Sequence, residues 1–186
     1  SMFCNEASFI TNIQDGSRKI LEIHFSRFKR LQYGRKGLWR LADEYRSKLD
    51  VKIAKSFDRF VVLTDEDSGY WDDLENMCVI GNARSFALPT PAPLEQNKVI
   101  AVGRYSYQKG FDRLIAAWAK VCQQVDDWTL HIVGDGELRQ VLQTQIEDLN
   151  LAERVILGKA ETDMPKVYQD ASILALSSHY EGLPMV

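Results

Sequence analysis

The sequence predicts an α/β fold, in which a Rossmann-like parallel sheet with helices on both faces is preceded by a partial second α/β domain. Over residues 98–186, short apolar runs alternate with segments of helical period, and this alternation is typical of right-handed βαβ units. Residues 83–97 contain three prolines at alternate positions, which exclude helix and favour an extended linker. We therefore predict an N-terminal part over residues 1–82, a linker over 83–97 and a second domain over 98–186.

The first part contains three predicted strands and one long predicted helix. The strands are the short β-rich runs at residues 19–24, 59–64 and 77–80. The helix spans residues 36–56, and its apolar residues fall on one face at helical spacing: Leu38, Leu41, Ala42, Tyr45, Leu49 and Ile53. Three short strands alone make a poor core, so this part is expected to be the back half of an α/β domain.

The second domain is predicted to alternate strand and helix throughout. The predicted strands are residues 98–103, 128–133, 154–157 and 172–176, and the predicted helices are residues 111–125, 137–149 and 164–170. We expect Asp163 to cap the last helix, whose first turn tolerates Pro165. The final strand consists of small and apolar residues and is expected to be buried.

The composition is that of an ordinary globular protein, with 45% hydrophobic residues, 26% charged residues and a formal net charge of −3. The three cysteines (Cys4, Cys78 and Cys122) lie far apart without metal-ligand spacing, and we expect them to be reduced thiols in a cytoplasmic protein. No apolar run reaches membrane-spanning length and no signal peptide is visible.

Basic residues are concentrated in the first part. Between Arg18 and Arg59 there are thirteen Lys or Arg and five acidic residues. Such a balance suits a phosphate-bearing substrate, a nucleic acid or an anionic membrane surface, and it also fits a solvated helix face. No nucleic-acid motif accompanies the basic residues, so we expect no nucleic-acid partner and leave open a peripheral contact with the inner face of a membrane.

Two strand-to-helix turns of the second domain carry glycines and charged side chains. In the first, Gly103 turns the chain off a strand, and Arg104 and Lys109 frame a helix start that suits a diphosphate. Taken alone, it is more typical of a surface loop with two incidental cations. The second contains Gly134 and Gly136, a shortened glycine fingerprint that is a weak dinucleotide signature.

A third turn follows the last predicted strand and carries Glu181. The flanking Gly182 and Pro184 give this loop a defined backbone. In an open α/β sheet, ligands bind beyond the carboxyl ends of the strands. We therefore expect Glu181 to lie where a substrate is met.

Four motifs follow one another along the second domain. In order, they are Gly-Arg-(four residues)-Lys-Gly, Ile-Val-Gly-Asp-Gly-Glu-Leu, Val-Ile-Leu-Gly and Ser-Ser-His-Tyr-Glu-Gly-Leu-Pro. The chain thereby resembles the retaining glycosyltransferases of family four, which have the GT-B architecture. The resemblance implies that residues 98–186 bind a UDP- or GDP-linked sugar donor and that residues 1–82 end an acceptor domain. It further implies hexose transfer with retention to a glycan or lipid-linked acceptor, in polysaccharide or glycolipid biosynthesis.

The resemblance also assigns roles to individual residues. Arg104 and Lys109 would hold the diphosphate, and Glu181 would contact the sugar hydroxyls as the first acid of a Glu-(seven residues)-Glu pair. His24 would lie near the cleft and bond a phosphate oxygen or the acceptor. The implied donor-binding backbone positions are Gly103, Gly134, Gly136, Gly158, Gly182 and Leu183. No metal or further cofactor is implied, which agrees with the absence of an Asp-x-Asp motif from residues 98–186.

The second acid of the pair would fall three positions beyond Val186. We therefore expect this chain to hold a partial donor site and to transfer little or no sugar. Two other classes stay open from the residues alone. One is a dinucleotide-dependent oxidoreductase, which the missing G-x-G-x-x-G disfavours. The other is a non-catalytic module that binds a polyanion or a partner through the basic helix.

Overall fold

The computed structural model describes residues 5–25, 27, 36–71, 74–83 and 90–181. The chain divides into two compact units, the first comprising residues 1–83 and 180–185 and the second comprising residues 84–179 and 186. Each unit has its own parallel sheet and its own hydrophobic core. The predicted α/β class is thus confirmed.

The sheet of the first unit has three parallel strands in the order β1-β2-β3. The elements are α1 (Asn5–Thr11), β1 (Ile20–Glu22), α2 (Leu38–Lys55), β2 (Arg59–Val62), α3 (Asp65–Ser68) and β3 (Met77–Val79). Because β2 lies in the centre, its Phe60 and Val62 are fully buried. Phe60 packs edge-on against Trp71 at 4.6 Å between ring centroids. The predicted strands are confirmed, each a little shorter than expected.

Helix α2 packs with a polar face inward. Asp43, Ser47 and Asp50 are buried, and the Nη1 of Arg27 donates to the Oγ of Ser47. The guanidinium of Arg27 also lies 4.6 Å from the ring centroid of Trp71. The guanidinium of Arg27 lies beneath the helix and needs hydrogen-bond acceptors. We infer that α2 turns its polar face inward because that face supplies them. The predicted helix is confirmed, but much of the apolar face that defined it is exposed.

The sheet of the second unit has four parallel strands in the order β6-β5-β4-β7. The elements are β4 (Lys98–Val102), a 3-10 turn (Tyr107–Lys109), α4 (Phe111–Val121), β5 (Thr129–Val133), α5 (Arg139–Asp148), β6 (Val155–Leu157), α6 (Met164–Gln169) and β7 (Ile173–Leu174). The predicted alternation of strand and helix is confirmed, with shorter helices than expected.

Helices lie on both faces of this sheet. Ile115 of α4 and Ile146 of α5 pack with the face of the sheet that carries Ala101 and Ile132. Helix α6 lies against the opposite face, where Val167 lines a pocket of about 290 Å³ with residues of β4 and β5. The Asp163 side chain accepts a hydrogen bond from the Lys166 N–H at 3.3 Å, as predicted for the cap of this helix.

Two expectations about burial are wrong. Ile173 and Leu174 are 49% and 39% exposed because β7 is an edge strand of only two residues that pairs with β4 alone. The helical spacing of residues 111–125 also predicts a buried apolar stripe that includes Val121, but Val121 is 36% exposed because α4 ends at this residue.

Some sequence predictions fall partly outside the described residues. Residues 84–89 of the predicted linker and Cys4 are not described, and residues 90–97 form neither helix nor strand. Cys78 and Cys122 are free cysteines. In the described part of the chain, every helix is too short or too polar to cross a bilayer.

Candidate functional site

The carboxyl ends of β5, β4 and β7 are adjacent in the sheet, and the turn that follows β4 is hydrogen-bonded to the turns that follow β5 and β7. We call them the first turn (residues 103–110, after β4), the second turn (residues 134–138, after β5) and the third turn (residues 175–179, after β7). The first and second turns are joined through the backbone. Tyr105 N–H donates to the Asp135 carbonyl at 2.9 Å, and Leu138 N–H donates to the Tyr105 carbonyl at 3.0 Å.

The first and third turns are joined by backbone and side-chain contacts. Ser177 Oγ donates to the Lys109 carbonyl at 2.8 Å, and His179 N–H donates to the Gln108 carbonyl at 2.8 Å. The His179 ring stacks on Tyr107 with 4.4 Å between centroids and an interplanar angle of 10°. These contacts fix the chain two residues before Glu181.

Arg113 on α4 sets the tautomer of His179. Its Nη1 lies 3.1 Å from Nδ1 of the imidazole. A guanidinium can only donate, so Nδ1 accepts and the neutral ring carries its proton on Nε2. The third turn is thus held to α4 as well as to the first turn.

Gly134 allows the first and second turns to approach backbone to backbone. A Cβ at Gly134 would lie 1.9 Å from the Gly103 carbonyl oxygen, which no side chain can tolerate. Gly136 is similarly restricted, with a Cβ position 2.6 Å from the Tyr105 carbonyl oxygen. The shortened glycine fingerprint therefore corresponds to close packing between two turns.

Lys109 lies folded back across the start of the first turn. A Cβ at Gly103 would lie 2.8 Å from Lys109 Cε, so glycine leaves the space that the lysine stem occupies. Lys109 is half-buried, whereas Arg104 is exposed on the same turn. Two cations held by one turn beside a helix start have the charge that suits an anionic group.

Sequence reasoning missed Tyr105, which is fully buried beneath the first turn. Its hydroxyl lies 2.7 Å from the Ile132 carbonyl and 2.8 Å from the Gly158 carbonyl, and it can donate to either. Burial raises the pKa of Tyr105 to about 12, so the hydroxyl keeps its proton. The only sign of this supporting role in the sequence is the position of the tyrosine directly after Gly103 and Arg104.

Arg139 was also missed, and it supports the loop that follows β6. Its Nη1 donates to the Gly158 carbonyl at 2.8 Å and its Nη2 to the Leu157 carbonyl at 3.1 Å. The guanidinium lies 5.7 Å from the Tyr105 ring centroid. Tyr105 and Arg139 therefore fix Gly158, one of the predicted donor-binding positions, from two sides.

The structure thus brings six of the predicted site residues together at the carboxyl ends of the strands of the second sheet: Gly103, Arg104, Lys109, Gly134, Gly136 and Gly158. His24 and Glu181 belong to the first unit. His24 is exposed, with Nε2 at 3.1 Å from the Glu22 carboxylate. Glu181 is half-buried, and Gly182 and Leu183 lie outside the described residues.

The first unit contains an Asp-x-Asp sequence, Asp65-Glu66-Asp67, in α3. Asp67 accepts hydrogen bonds from the Arg27 N–H at 2.9 Å and from Trp71 Nε1 at 3.2 Å, which gives it a role in the fold. Across the described ranges, no three His, Cys, Asp or Glu side chains gather as metal ligands would.

Comparison with known proteins identifies the family. The profile of the glycosyl transferases group 1 matches residues 87–186. The chain belongs to the group 1 glycosyltransferases. This bears out the resemblance carried by the turn motifs, and it favours a glycosyltransferase over the oxidoreductase and the non-catalytic module.

Known proteins that are similar to the chain include two glycosyltransferases and one solved structure. The amylovoran biosynthesis glycosyltransferase AmsD of Erwinia amylovora is 36% identical over 149 residues, which are 75% of this chain and 42% of AmsD. A Campylobacter jejuni alpha-1,4-N-acetyl-D-galactosaminyltransferase, named for a saccharide on diNAcBac-PP-undecaprenol, is 31% identical over 93 residues, 50% of this chain and 25% of that protein. The chain therefore spans less than half the length of these relatives.

The solved structure is TarM of S. aureus, in a complex that includes UDP. It aligns with a TM-score of 0.76 at 23% identity, covering 94% of this chain and 35% of TarM. At this identity the likeness concerns the fold, and the fold is that of the GT-B glycosyltransferases.

Proposed function

We propose that the whole protein transfers a hexose, with retention, from a UDP- or GDP-linked sugar to a glycan or lipid-linked acceptor in polysaccharide or glycolipid biosynthesis. The observation that carries the proposal is the junction of the first, second and third turns, with Arg104 and Lys109 on the central one. The names of AmsD and of the Campylobacter enzyme, and the UDP in the TarM complex, support it.

The two cations suit the departure of a nucleoside diphosphate. When the bond between the anomeric carbon and the phosphate oxygen breaks, the leaving diphosphate gains negative charge. Arg104 and Lys109 would stabilise that charge as it develops. Lys109 is already held against Gly103, so little side-chain entropy is lost when it binds. In this proposal the two side chains supply the positive charge, and neither a metal nor a further cofactor takes part.

The remaining predicted residues complete the proposed reaction. Glu181 would bind the sugar hydroxyls, and the N–H groups of Gly182 and Leu183 would point at sugar or phosphate oxygens. The acceptor hydroxyl would attack on the face from which the diphosphate leaves, with the donor phosphate as base. His24 would bond a phosphate oxygen or the acceptor. We place this reaction in the cytoplasm, at the inner face of a membrane.

The backbone positions have separate proposed roles. Gly103, Gly134 and Gly136 would let the nucleotide approach the turns closely, and the loop at Gly158 would face the base. Tyr105 and Arg139 can both donate hydrogen bonds to the Gly158 carbonyl. They would therefore affect base recognition only by holding that loop in position.

Calorimetric titration of the chain with UDP, GDP, NAD and RNA, each separately, tests the donor site. We expect selective binding of UDP or GDP. Arg104→Ala and Lys109→Ala should each weaken that binding by about 10- to 100-fold, because a hydrogen bond to a charged group contributes roughly 1.5–3 kcal/mol. Lys120→Ala, which removes an exposed cation from α4, is the matched control and should bind as the parent does. Preferential binding of NAD or RNA would contradict the proposal.

We also propose that residues 1–186 alone transfer little or no sugar, because they match only 42% of the length of AmsD. The measurement is the transfer rate of this chain beside that of the complete protein, with the same donor and acceptor. Only the complete protein should turn over. Equal rates would show that the chain already holds a working site.

A further inference from the structure

Tyr107 is an exposed aromatic side chain that the fold holds in one orientation. It begins the 3-10 turn that ends at Lys109, and it is 63% exposed. One face of its ring is covered by the nearly parallel imidazole of His179, with 4.4 Å between the ring centroids. Since one face is covered while most of the residue is exposed, the opposite face of the ring meets water. We call this opposite face the open face of Tyr107.

His179 is itself fixed, so the two rings form a rigid unit. Its N–H donates to the Gln108 carbonyl at 2.8 Å, and the Nη1 of Arg113 lies 3.1 Å from its Nδ1. The Nε2 of His179 is buried and has no hydrogen-bond partner among the described residues, which costs stability. The contributions that offset this cost are the bond to Arg113 and the stack on Tyr107.

The surroundings of the open face are polar. The neighbours of Tyr107 along the first turn are Ser106 and Gln108, and the other aromatic residue of this turn, Tyr105, is buried. Within the part of the chain that the structure describes, the Tyr107 hydroxyl makes no hydrogen bond. A single aromatic face bordered by polar groups is a poor match for a protein partner, because protein interfaces are built around contiguous apolar patches.

We propose that the open face of Tyr107 stacks on the pyranose ring of a sugar. A pyranose has a face of C–H groups, whose slight positive charge suits the negative face of an aromatic ring. Its hydroxyls project around the edge, where the Tyr107 hydroxyl can bond one of them. Because the stack on His179 already fixes the aromatic ring, little conformational entropy is lost when the sugar binds.

The position of Tyr107 connects this site to the proposed transfer reaction, and the inference rests on that proposed function. Tyr107 and Lys109 belong to the same 3-10 turn, and Lys109 folds back across Gly103, where we propose that it holds the diphosphate. Residues two apart on a 3-10 helix point in different directions, so we expect Tyr107 to lie beside the diphosphate. The sugar is then the hexose of the donor or a sugar of the acceptor.

Calorimetry on the complete protein tests the donor hexose, with UDP, UDP-glucose, GDP and GDP-mannose as probes. If this hexose stacks on Tyr107, Tyr107→Ala should weaken the binding of the nucleotide sugar about 3- to 10-fold, the factor that aromatic stacking contributes, and leave the free nucleotide unaffected. Tyr107→Phe keeps the face and should retain most of the affinity. Tyr45→Ala removes a tyrosine of similar exposure, 65%, from the first unit and is the matched control.

Saturation-transfer NMR on the complete protein tests an acceptor sugar, with the methyl glycosides of glucose, galactose and mannose as probes, each with and without UDP. Stacking predicts the strongest signal at the ring C–H protons of a bound glycoside. The affinity should fall about 3- to 10-fold in Tyr107→Ala and be unchanged in Tyr45→Ala.

Two variants of His179 test whether the stack between the rings matters. His179→Ala removes the ring behind Tyr107 and should weaken sugar binding about twofold, because Tyr107 must then be ordered on binding. His179→Phe keeps a stacked ring and should bind sugar as the parent does. Circular dichroism shows whether each variant is folded.

Loss of sugar binding by Tyr107→Ala in either measurement supports the proposal and identifies the source of the sugar. Parental binding by this variant, folded, in both measurements would overturn it. Equal weakening of the free nucleotide and the nucleotide sugar would also overturn it, since Tyr107 would then only support the first turn. A parent protein that binds sugar through Tyr107 but neither UDP nor GDP would contradict the proposed function alone, and one that binds no probe would overturn both.

Discussion

Gly134→Ala is expected to destabilise the second unit by about 3 kcal/mol or more, because the new Cβ collides with backbone that cannot rotate away. That Cβ would lie 1.9 Å from the Gly103 carbonyl oxygen, which belongs to the turn that carries Lys109. Relieving the collision would separate the first and second turns and break the hydrogen bond between Tyr105 and Asp135. Urea unfolding and a UDP or GDP titration should both show the loss.

Gly158→Ala is the matched control for that prediction. A Cβ at Gly158 meets its nearest atom, the Ile132 carbonyl oxygen, at 3.5 Å, which is ordinary contact. The unfolding free energy should therefore change by less than about 1 kcal/mol, in the range of an unstrained substitution. If both alanine variants unfold alike, packing between the two turns is not what requires glycine at position 134.

Gly110→Ala is expected to have the next largest effect, about 3 kcal/mol, from two separable causes. Its φ of 59° lies in the left-handed region, which costs a residue with a Cβ roughly 1–2 kcal/mol. The Cβ would also lie 2.4 Å from the Ser177 carbonyl oxygen, so the third turn must move. The hydrogen bonds from Ser177 and His179 to the first turn would be lost, at about 1 kcal/mol each.

Gly16→Ala separates the two causes. Gly16 has a φ of 75° but no atom within 4 Å of its Cβ position, so this variant carries the left-handed strain alone. Thermal unfolding of both variants, together with donor titration, gives the comparison. Equal losses in Gly16→Ala and Gly110→Ala would mean that the contact between the first and third turns contributes little.

The alternation of strands and helices, and hence the edge where the turns meet, could be predicted because it rests on local patterns. Strand periodicity placed β4, β5 and β6, and parallel pairing then required their carboxyl ends to share one edge. The glycines and cations of the first and second turns follow from the same reasoning. Whether Glu181 and His24 act at this edge is still a prediction.

The burial of α2 could not be predicted from periodicity. An apolar stripe on a predicted helix marks the side that normally packs against the hydrophobic core. Here Arg27 lies under the helix and draws Ser47 inward, a contact between residues twenty positions apart. Tyr105 escaped notice for a similar reason, since its two carbonyl acceptors come from distant strands.

The order of strands in the second sheet has a consequence for how the protein is made. Strand β4 is the first of its unit to be synthesised, yet one of its two neighbours is β7, the last in the described chain. During translation, the first turn can therefore pack against the second turn early. At that stage the third turn, which orders Gly110 and Lys109, is still inside the ribosome. A nascent chain would present an exposed edge of β4, and a first turn without its hydrogen bonds to the third turn, until His179 emerges. The anion binding proposed for Arg104 and Lys109 should consequently be one of the last properties of this unit to appear.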